Sequence, residues 1–191
     1  MGADKAMLPW PPQTPGASEL SCHTLLSAAL SAFEPLTRIN VVVGGRNADA
    51  IAAKVGACGA HLVRNPAPEN GQFSSLQIGL RELLDRGCNA AIITPVDCPP
   101  LSTSSLQRLH HAFLGALTAH LWAVAPEHDG KHGHPLLANL DLIDAFLKAE
   151  ITSNAREVLH AHASRVVYVP VPESLAKAGL NTPEDYAAVA E

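Results

Sequence analysis

The sequence predicts an α/β fold with a mostly parallel sheet and helices on both faces. Short, continuously apolar runs rich in β-branched residues alternate along the chain with segments of helical period. Those runs lack the in-out alternation of a sheet wetted on one side, so both of their faces are expected to be covered. Nearly every run is followed by a helical stretch, which is the connection that parallel neighbours require.

Taken in order, residues 24–33 place Leu26, Ala29, Leu30 and Phe33 on one face of a helix. "RINVVV" at 38–43, ending in Gly44 and Gly45, reads as a strand buried on both faces. A helix over 48–55 follows, then "HLVRN" at 61–65 as a second strand. The next helix carries Leu76, Leu80, Leu83 and Leu84 as its apolar stripe, with Ser74 as expected N-cap and Gln77 three residues on. "AAIITPVD" at 90–97 is an apolar strand that ends in a carboxylate. Leu106, Leu109, Phe113 and Leu117 mark a helix, "LWAVAP" at 121–126 a strand, and 133–138 an extended piece. Helices over 140–147 and 154–160 precede a last strand, "RVVYVPV" at 165–171. Thr182, Pro183 and Asp185 are N-cap, first-turn proline and capping-box acid of a final helix. Near the amino end, the prolines at 9, 11, 12 and 15 force an extended loop.

The bulk numbers fit one domain over 1–191, since domains usually span about 50 to 250 residues. Apolar residues make up 47% and aromatics 4%, so Ala, Leu, Val and Ile must fill the core. A net charge of -5 with 13 Lys and Arg argues against general adhesion to nucleic acid or anionic membrane. The chain has no apolar stretch long enough to span a bilayer and no export signal pattern, so a cytoplasmic protein is expected. Cys22, Cys58, Cys88 and Cys98 form no CxxC pair and read as reduced packing thiols.

Ligands of a doubly wound sheet collect outside the carboxyl ends of the strands, and Asp97 is at such an end, fixed by Cys98, Pro99 and Pro100. A carboxylate there can hold Mg²⁺, which takes one or two carboxylates plus substrate phosphates, or it can simply cap a turn. Lys5, in "MGADK", supplies positive charge beside a glycine turn, as phosphate transfer needs, although such tetrapeptides are common surface turns. Neither GxxxxGK[ST] nor GxGxxG occurs, and Gly44-Gly45-Arg46 reads as a structural turn. The loop at 69–80 leads through Gly71 into a helix N-terminus, either an anion site or an ordinary capped helix. In "HGHP", His132 and His134 face one side; zinc takes three or four ligands and no Cys or carboxylate cluster completes the set, with Glu127, His128 and Asp129 the residues near in sequence that leave a metal site open.

"MGADKAMLP", "NPAPENGQFSSLQIGL", "ITPVDCPPLS", "GKHGHPLL", "NAREVL" and "LNTPEDYAAV" together resemble the successive motifs of the MobA-like nucleotidyltransferase family, above all its molybdenum-cofactor cytidylyltransferase branch. The resemblance implies a Rossmann-like three-layer α/β/α sandwich, the nucleotide-diphospho-sugar transferase fold. It implies transfer of a nucleoside monophosphate from CTP or GTP to a phosphorylated acceptor such as molybdopterin, with pyrophosphate released and a molybdenum enzyme as possible receiver. By the same resemblance Gly2 and Lys5 match the phosphate-binding signature, and Asn65, Gly71, Ser74 and Ser75 the nucleotide stretch. Asp97 matches the Mg²⁺ carboxylate with Asn181 completing the metal site, and Gly133, His134 and Pro135 match the acceptor motif. The family signature LAAGxSxRMGxxK is matched only at its tail, so its first strand and glycines are expected to be absent from this sequence, as if it began at an internal methionine. A non-catalytic nucleotide- or cofactor-binding protein is the competing reading, and a histidine-based metal carrier a third.

Overall fold

The computed structural model describes residues 4–12, 23–173, 179–180 and 182–188. Helices α1 (Leu25–Phe33), α2 (Ala48–Ala57), α3 (Gln72–Asp85), α4 (Thr103–Thr118), α5 (Leu140–Lys148), α6 (Ala155–Ala161) and α7 (Pro183–Ala188) alternate with the strands. β1 (Val41–Gly44) pairs in parallel with β2 (His61–Arg64). In a second sheet, β3 (Ala90–Ile93) pairs antiparallel with β6 (Leu136–Asn139), and β6 antiparallel with β4 (Ala123–His128). β7 (Val166–Pro170) lies parallel to β4, and β5 (Lys131–His132) folds back on the end of β4. β3, β4 and β7 thus share one direction, and β6 runs against them because a hairpin rather than a helix connects it to β4. Asp129 (φ 46°) and Gly130 (φ 71°) make that two-residue turn, both in the left-handed region that such hairpins need.

The second sheet is covered on both faces, as its apolar runs predict. Along β6, Leu137 enters one cluster with Phe33, Leu109 and Phe113 from α1 and α4. Leu136 and Ala138 point the other way, into a cluster with Leu80 of α3 and Ile143 and Phe146 of α5. That period of two is the strand pleat, and each layer of helices answers one set of side chains. A third cluster joins Ala6, Leu26 and Leu30 to Ile51 and Val55 of α2.

Local signals set most helix starts. Thr24 and Ser27 form a capping box on α1, and Asn139 and Asn154 cap α5 and α6. The Thr182 amide donates to Asp185 and the Asp185 amide to Thr182 Oγ1, at 2.8 and 3.0 Å, so the predicted capping box on α7 is present. Ser74 is not the cap of α3. The helix begins at Gln72 after Gly71, and the Ser74 hydroxyl donates to the Gly71 carbonyl at 2.7 Å from inside the first turn. The predicted strand at 90–97 ends at Ile93, because Pro95 cannot donate to a ladder and Thr94 to Asp97 form a turn. Val41, Val42 and Val43 are half-buried rather than covered on both faces, since β1 borders an open cavity.

One long-range cap ties the segment after β7 to the start of α4. Ser102 caps α4, and the Glu173 carboxylate accepts from the Ser102 amide at 3.2 Å, from the Ser102 hydroxyl, and from the Ser105 hydroxyl at 2.7 Å. Burial alone would raise the Glu173 pKa, yet the bonds from Ser102 and Ser105 outweigh it and hold the carboxyl below the usual glutamate value. A depressed folded-state value means that this stability is present above the unfolded pKa of about 4.3 and is lost as pH falls through the folded one. Glu173→Gln is therefore expected to cost about 1 kcal/mol at pH 7. In urea unfolding the difference from the parent should shrink at pH 3.5, and an equal difference at both pH values would contradict the charged cap.

Candidate active site

The chain leaves β3 through Thr94, Pro95 and Val96, and this turn carries Asp97. Lys5 begins a short 3-10 turn over Lys5–Met7 whose cap is Asp4, accepting from the Ala6 amide at 3.0 Å. Lys5 Nζ donates to Asp97 Oδ2 at 3.2 Å, both side chains being roughly a quarter exposed. Asp4 reaches the other way and accepts from Asn47 Nδ2, just beyond β1, at 2.9 Å. The Asp4–Lys5 corner therefore touches the carboxyl ends of both β1 and β3. Asp97 Oδ1 stays outside the ion pair, with the weak Cys98 thiol at 4.0 Å. Burial pushes that thiol up to about 12, the Asp97 charge adds to the rise and Lys5 opposes it, so Cys98 is a neutral neighbour and no nucleophile.

A second group surrounds the start of α3. Asn65 is buried directly after β2, its amide donating to the Gly44 carbonyl at 2.8 Å. Its side-chain Nδ2 donates to Ser74 Oγ and to Ser75 Oγ, each at 2.9 Å, while its Oδ1 accepts from the Ala67 amide at 2.9 Å. Asn65 thus fastens the loop to the helix and keeps the α3 N-terminus in place. Gly71 is the N-cap at φ 85°, makes no side-chain cap, and is followed by a first turn without acidic residues. The positive end of a 14-residue helix is left for an anion.

A third group comes from the β5–β6 connection. The Gly133 amide donates to the Pro126 carbonyl at 3.0 Å, and Pro135 is buried. His134 Nδ1 is buried with no partner among the described residues. Burial holds His134 below the usual histidine value, opposed by a hydrogen bond with the backbone of Ile93 and by the charge of Asp97. The imidazole is therefore neutral at pH 7 and senses Asp97. Gly71, Ser75, Gly133 and His134 all line one cavity, whose wall continues through Ile93, Thr94 and Val96 toward Asp97. Gly2 and Asn181 lie outside the described residues, although the Leu180 amide donates to the Asp97 carbonyl at 2.8 Å.

Sequence reasoning missed Asp4, Asn47 and the His132–Tyr168 pair. The first two meet only through the fold. His132 stacks flat on Tyr168, with centroids 3.5 Å apart, and lies 3.7 Å from Glu127. Among the described residues no group of three or more His, Cys, Asp or Glu is placed to hold a metal ion. Cys58, Cys88 and Cys98 are free, and Cys22 is outside the described residues. No described helix is long and apolar enough to cross a membrane.

The three-layer α/β arrangement is a Rossmann-like fold of the kind found in nucleotidyltransferases. The sequence pattern described as MobA-like NTP transferase domain matches residues 1–166, and the chain belongs to that family. Among solved structures, Rv0371c from Mycobacterium tuberculosis H37Rv is similar with a TM-score of 0.74 at 16% identity, over 100% of this chain and 90% of that one. A second structure of Rv0371c is a complex with manganese. Molybdopterin-guanine dinucleotide biosynthesis protein A from Archaeoglobus fulgidus gives a TM-score of 0.63 at 19% identity, over 99% and 90% of the two chains. 4-Diphosphocytidyl-2C-methyl-D-erythritol synthase from Anaerococcus prevotii DSM 20548 gives 0.65 at 14% identity, over 88% of each. At these identities the likeness establishes the fold alone. No curated protein matches the chain in sequence.

The geometry at Gly71 gives a direct test of the α3 start. An added Cβ meets nothing within 4 Å, so an alanine there is penalised only by its φ of 85°. Gly71→Ala is expected to lower stability by about 1 kcal/mol in urea unfolding. An unchanged midpoint would mean that the loop relaxes freely and does not hold the helix start.

Proposed function

We propose that this chain, as one domain over 1–191, transfers a nucleoside monophosphate from a nucleoside triphosphate to a phosphorylated acceptor. An acceptor phosphate oxygen attacks the α-phosphorus, the bond from that phosphorus to the oxygen bridging to the β-phosphate breaks, and pyrophosphate leaves. CTP is the favoured nucleotide with GTP as alternative, and molybdopterin is the favoured acceptor, its product passing on to a molybdenum enzyme. The observation that supports this most is the Lys5–Asp97 contact at the carboxyl ends of β1 and β3, in a member of the MobA-like family. The fold shared with molybdopterin-guanine dinucleotide biosynthesis protein A bears on the acceptor, and the fold shared with the diphosphocytidyl-methylerythritol synthase bears on the base.

Each residue has a task that follows from its chemistry. Lys5 moves its ammonium from Asp97 to the phosphate oxygens that gain charge, and Gly2, outside the described residues, is assigned to the same phosphate-binding signature by the family resemblance alone. The α3 N-terminus, held by Asn65, Gly71, Ser74 and Ser75, draws the nucleotide through its free amides. His134, neutral and with an unpartnered Nδ1, orients the acceptor together with Gly133 and Pro135. Asp97 fits a hard divalent cation, because Oδ1 remains outside the ion pair, and Asn181 is the proposed companion ligand. Bound Mg²⁺ would neutralise phosphate charge.

Pyrophosphate release with Mg²⁺, molybdopterin and each of CTP, GTP and ATP tests the reading. Lys5→Ala and Asp97→Asn should each lower release by about 10²- to 10³-fold with the circular dichroism spectrum retained. Release that survives both substitutions would overturn the assignment of the site. A folded protein that binds nucleotide but releases no pyrophosphate under any condition would favour the binding-only reading.

A further inference from the structure

The β4–β5 hairpin lays one ring flat on another beside the residues proposed for the acceptor. Glu127 on β4 pairs with His132 on β5, and Ala125, earlier on β4, pairs with Tyr168 on β7. β7 runs along one edge of β4 from Ala123 to Glu127, so β5 is on the other edge. Ladder partners share a face and so do alternate residues of a strand, which puts Ala125, Glu127, His132 and Tyr168 on one face of the sheet. Ala125 is buried and carries only a methyl group there. The His132 imidazole therefore reaches across β4 and stacks on the Tyr168 phenol, with centroids 3.5 Å apart and planes 8° from parallel.

Both rings are fixed from behind. The Gly133 amide on the Pro126 carbonyl and the Val171 amide on the Glu127 carbonyl, at 3.0 and 2.9 Å, fasten the ends of β5 and β7 to β4. Tyr168 packs against the apolar cluster that holds Ala125 and Phe146, and the Glu127 carboxylate is 3.7 Å from His132 Nε2. With one face of the imidazole on the phenol, the 48% of its side chain that stays exposed is on the opposite face and the ring edges. His132 lines the same cavity as Tyr168, Gly133 and His134. That wall thus offers a rigid flat π surface, and in His134 Nδ1 a buried nitrogen without a partner among the described residues. A flat heteroaromatic ring gains from stacking over its whole face and carries polar atoms at its edge, a combination that a polyol chain cannot match.

We propose that His132, backed by Tyr168, is a specificity-determining residue that receives the ring of the acceptor on its open imidazole face. The acceptor class is then a phosphate ester of a flat nitrogen heterocycle, pterins included, rather than a polyol phosphate. Tyr168 touches no substrate and is a positioning residue, because its phenol sets the plane in which the imidazole is presented. The inference rests on the nucleotidyl-transfer reading for the side of the site it assigns, since His132 adjoins Gly133 and His134 while the nucleotide is drawn to the start of α3.

The test titrates the full chain with hydroxymethylpterin, followed by the pterin fluorescence, and with methylerythritol phosphate and CTP by calorimetry. His132→Ala should weaken pterin binding by about tenfold, and His132→Phe, which keeps a flat ring, should stay within about threefold of the parent. Tyr168→Leu should fall between them, with CTP affinity and the circular dichroism spectrum unchanged in all three. Pterin binding by His132→Ala as tight as by the parent would overturn the proposal, as would a parent that binds CTP but no pterin. Equal loss of pterin, methylerythritol phosphate and CTP would make the stack a structural brace and overturn it as well. A parent that prefers methylerythritol phosphate to the pterin would overturn the acceptor class. Pterin binding that follows His132 in a protein releasing no pyrophosphate would support the ring site and count against nucleotidyl transfer alone.

Discussion

The turn from Thr94 to Asp97 is fastened from three directions, and the arrangement of the site follows from it. The Cys98 amide donates back to the Pro95 carbonyl at 3.2 Å, Lys5 pairs with the Asp97 carboxylate, and the Leu180 amide donates to the Asp97 carbonyl at 2.8 Å. Leu180 itself is fully buried, which anchors the late chain beside the turn. Prolines at 95, 99 and 100 remove backbone donors on both sides, so the segment cannot prolong β3 and must present its carboxylate beyond the sheet. Each bond contributes about 1 kcal/mol, and a partly exposed ion pair no more than that. Their worth is positional, since they place one carboxylate, one ammonium and a neutral imidazole at one end of the strands.

Charge at the site is held without deep burial. Lys5 and Asp97 neutralise one another while keeping contact with solvent, so neither carries the large penalty of an unpaired interior ion. His134 and Cys98 respond in opposite electrical senses to the same fact. Burial favours the neutral form of both, which leaves Asp97 and Lys5 as the charged pair of this corner. A pair that can exchange partners is suited to phosphate, whose arrival gives the ammonium a stronger anion than a single carboxylate.

Local rules explain what was legible in the sequence, and their limits explain the rest. Leu26, Leu30 and Phe33 fall on one buried helix face, and Thr182 with Asp185 caps a helix, because such signals act within a few residues. Asp129-Gly130 was an equally local hairpin signal, and reading it would have made the chain after it antiparallel to β4, whereas its place beside β3 is a long-range fact. Ser74 misled because a serine followed by glutamine imitates a cap, whereas Gly71 supplies the positive φ that the loop geometry demands. Asp4 meeting Asn47 and Glu173 meeting Ser105 had no signal at all, being contacts across |i−j| of 43 and 68 residues. The contact of Lys5 with Asp97 spans as far, but the charge that phosphate transfer needs already made Lys5 the expected partner of Asp97.

Val41 to Val43 show where composition and structure diverge for a physical reason. Three consecutive β-branched residues belong to a strand covered on both faces, yet they stay half-buried along the open edge. The same opening bears on the site, because the corner that closes its mouth is the one that carries Lys5. As described, that corner is positioned by two side-chain contacts, Asn47 with Asp4 and Lys5 with Asp97, and by Ala6 in the third apolar cluster. Lys5 must leave one of those contacts to serve a phosphate. The corner then keeps Asn47 on Asp4, Ala6 in its apolar cluster and the Leu25 amide on the Leu8 carbonyl at 2.8 Å, so the ammonium can change partners without the short turn coming loose.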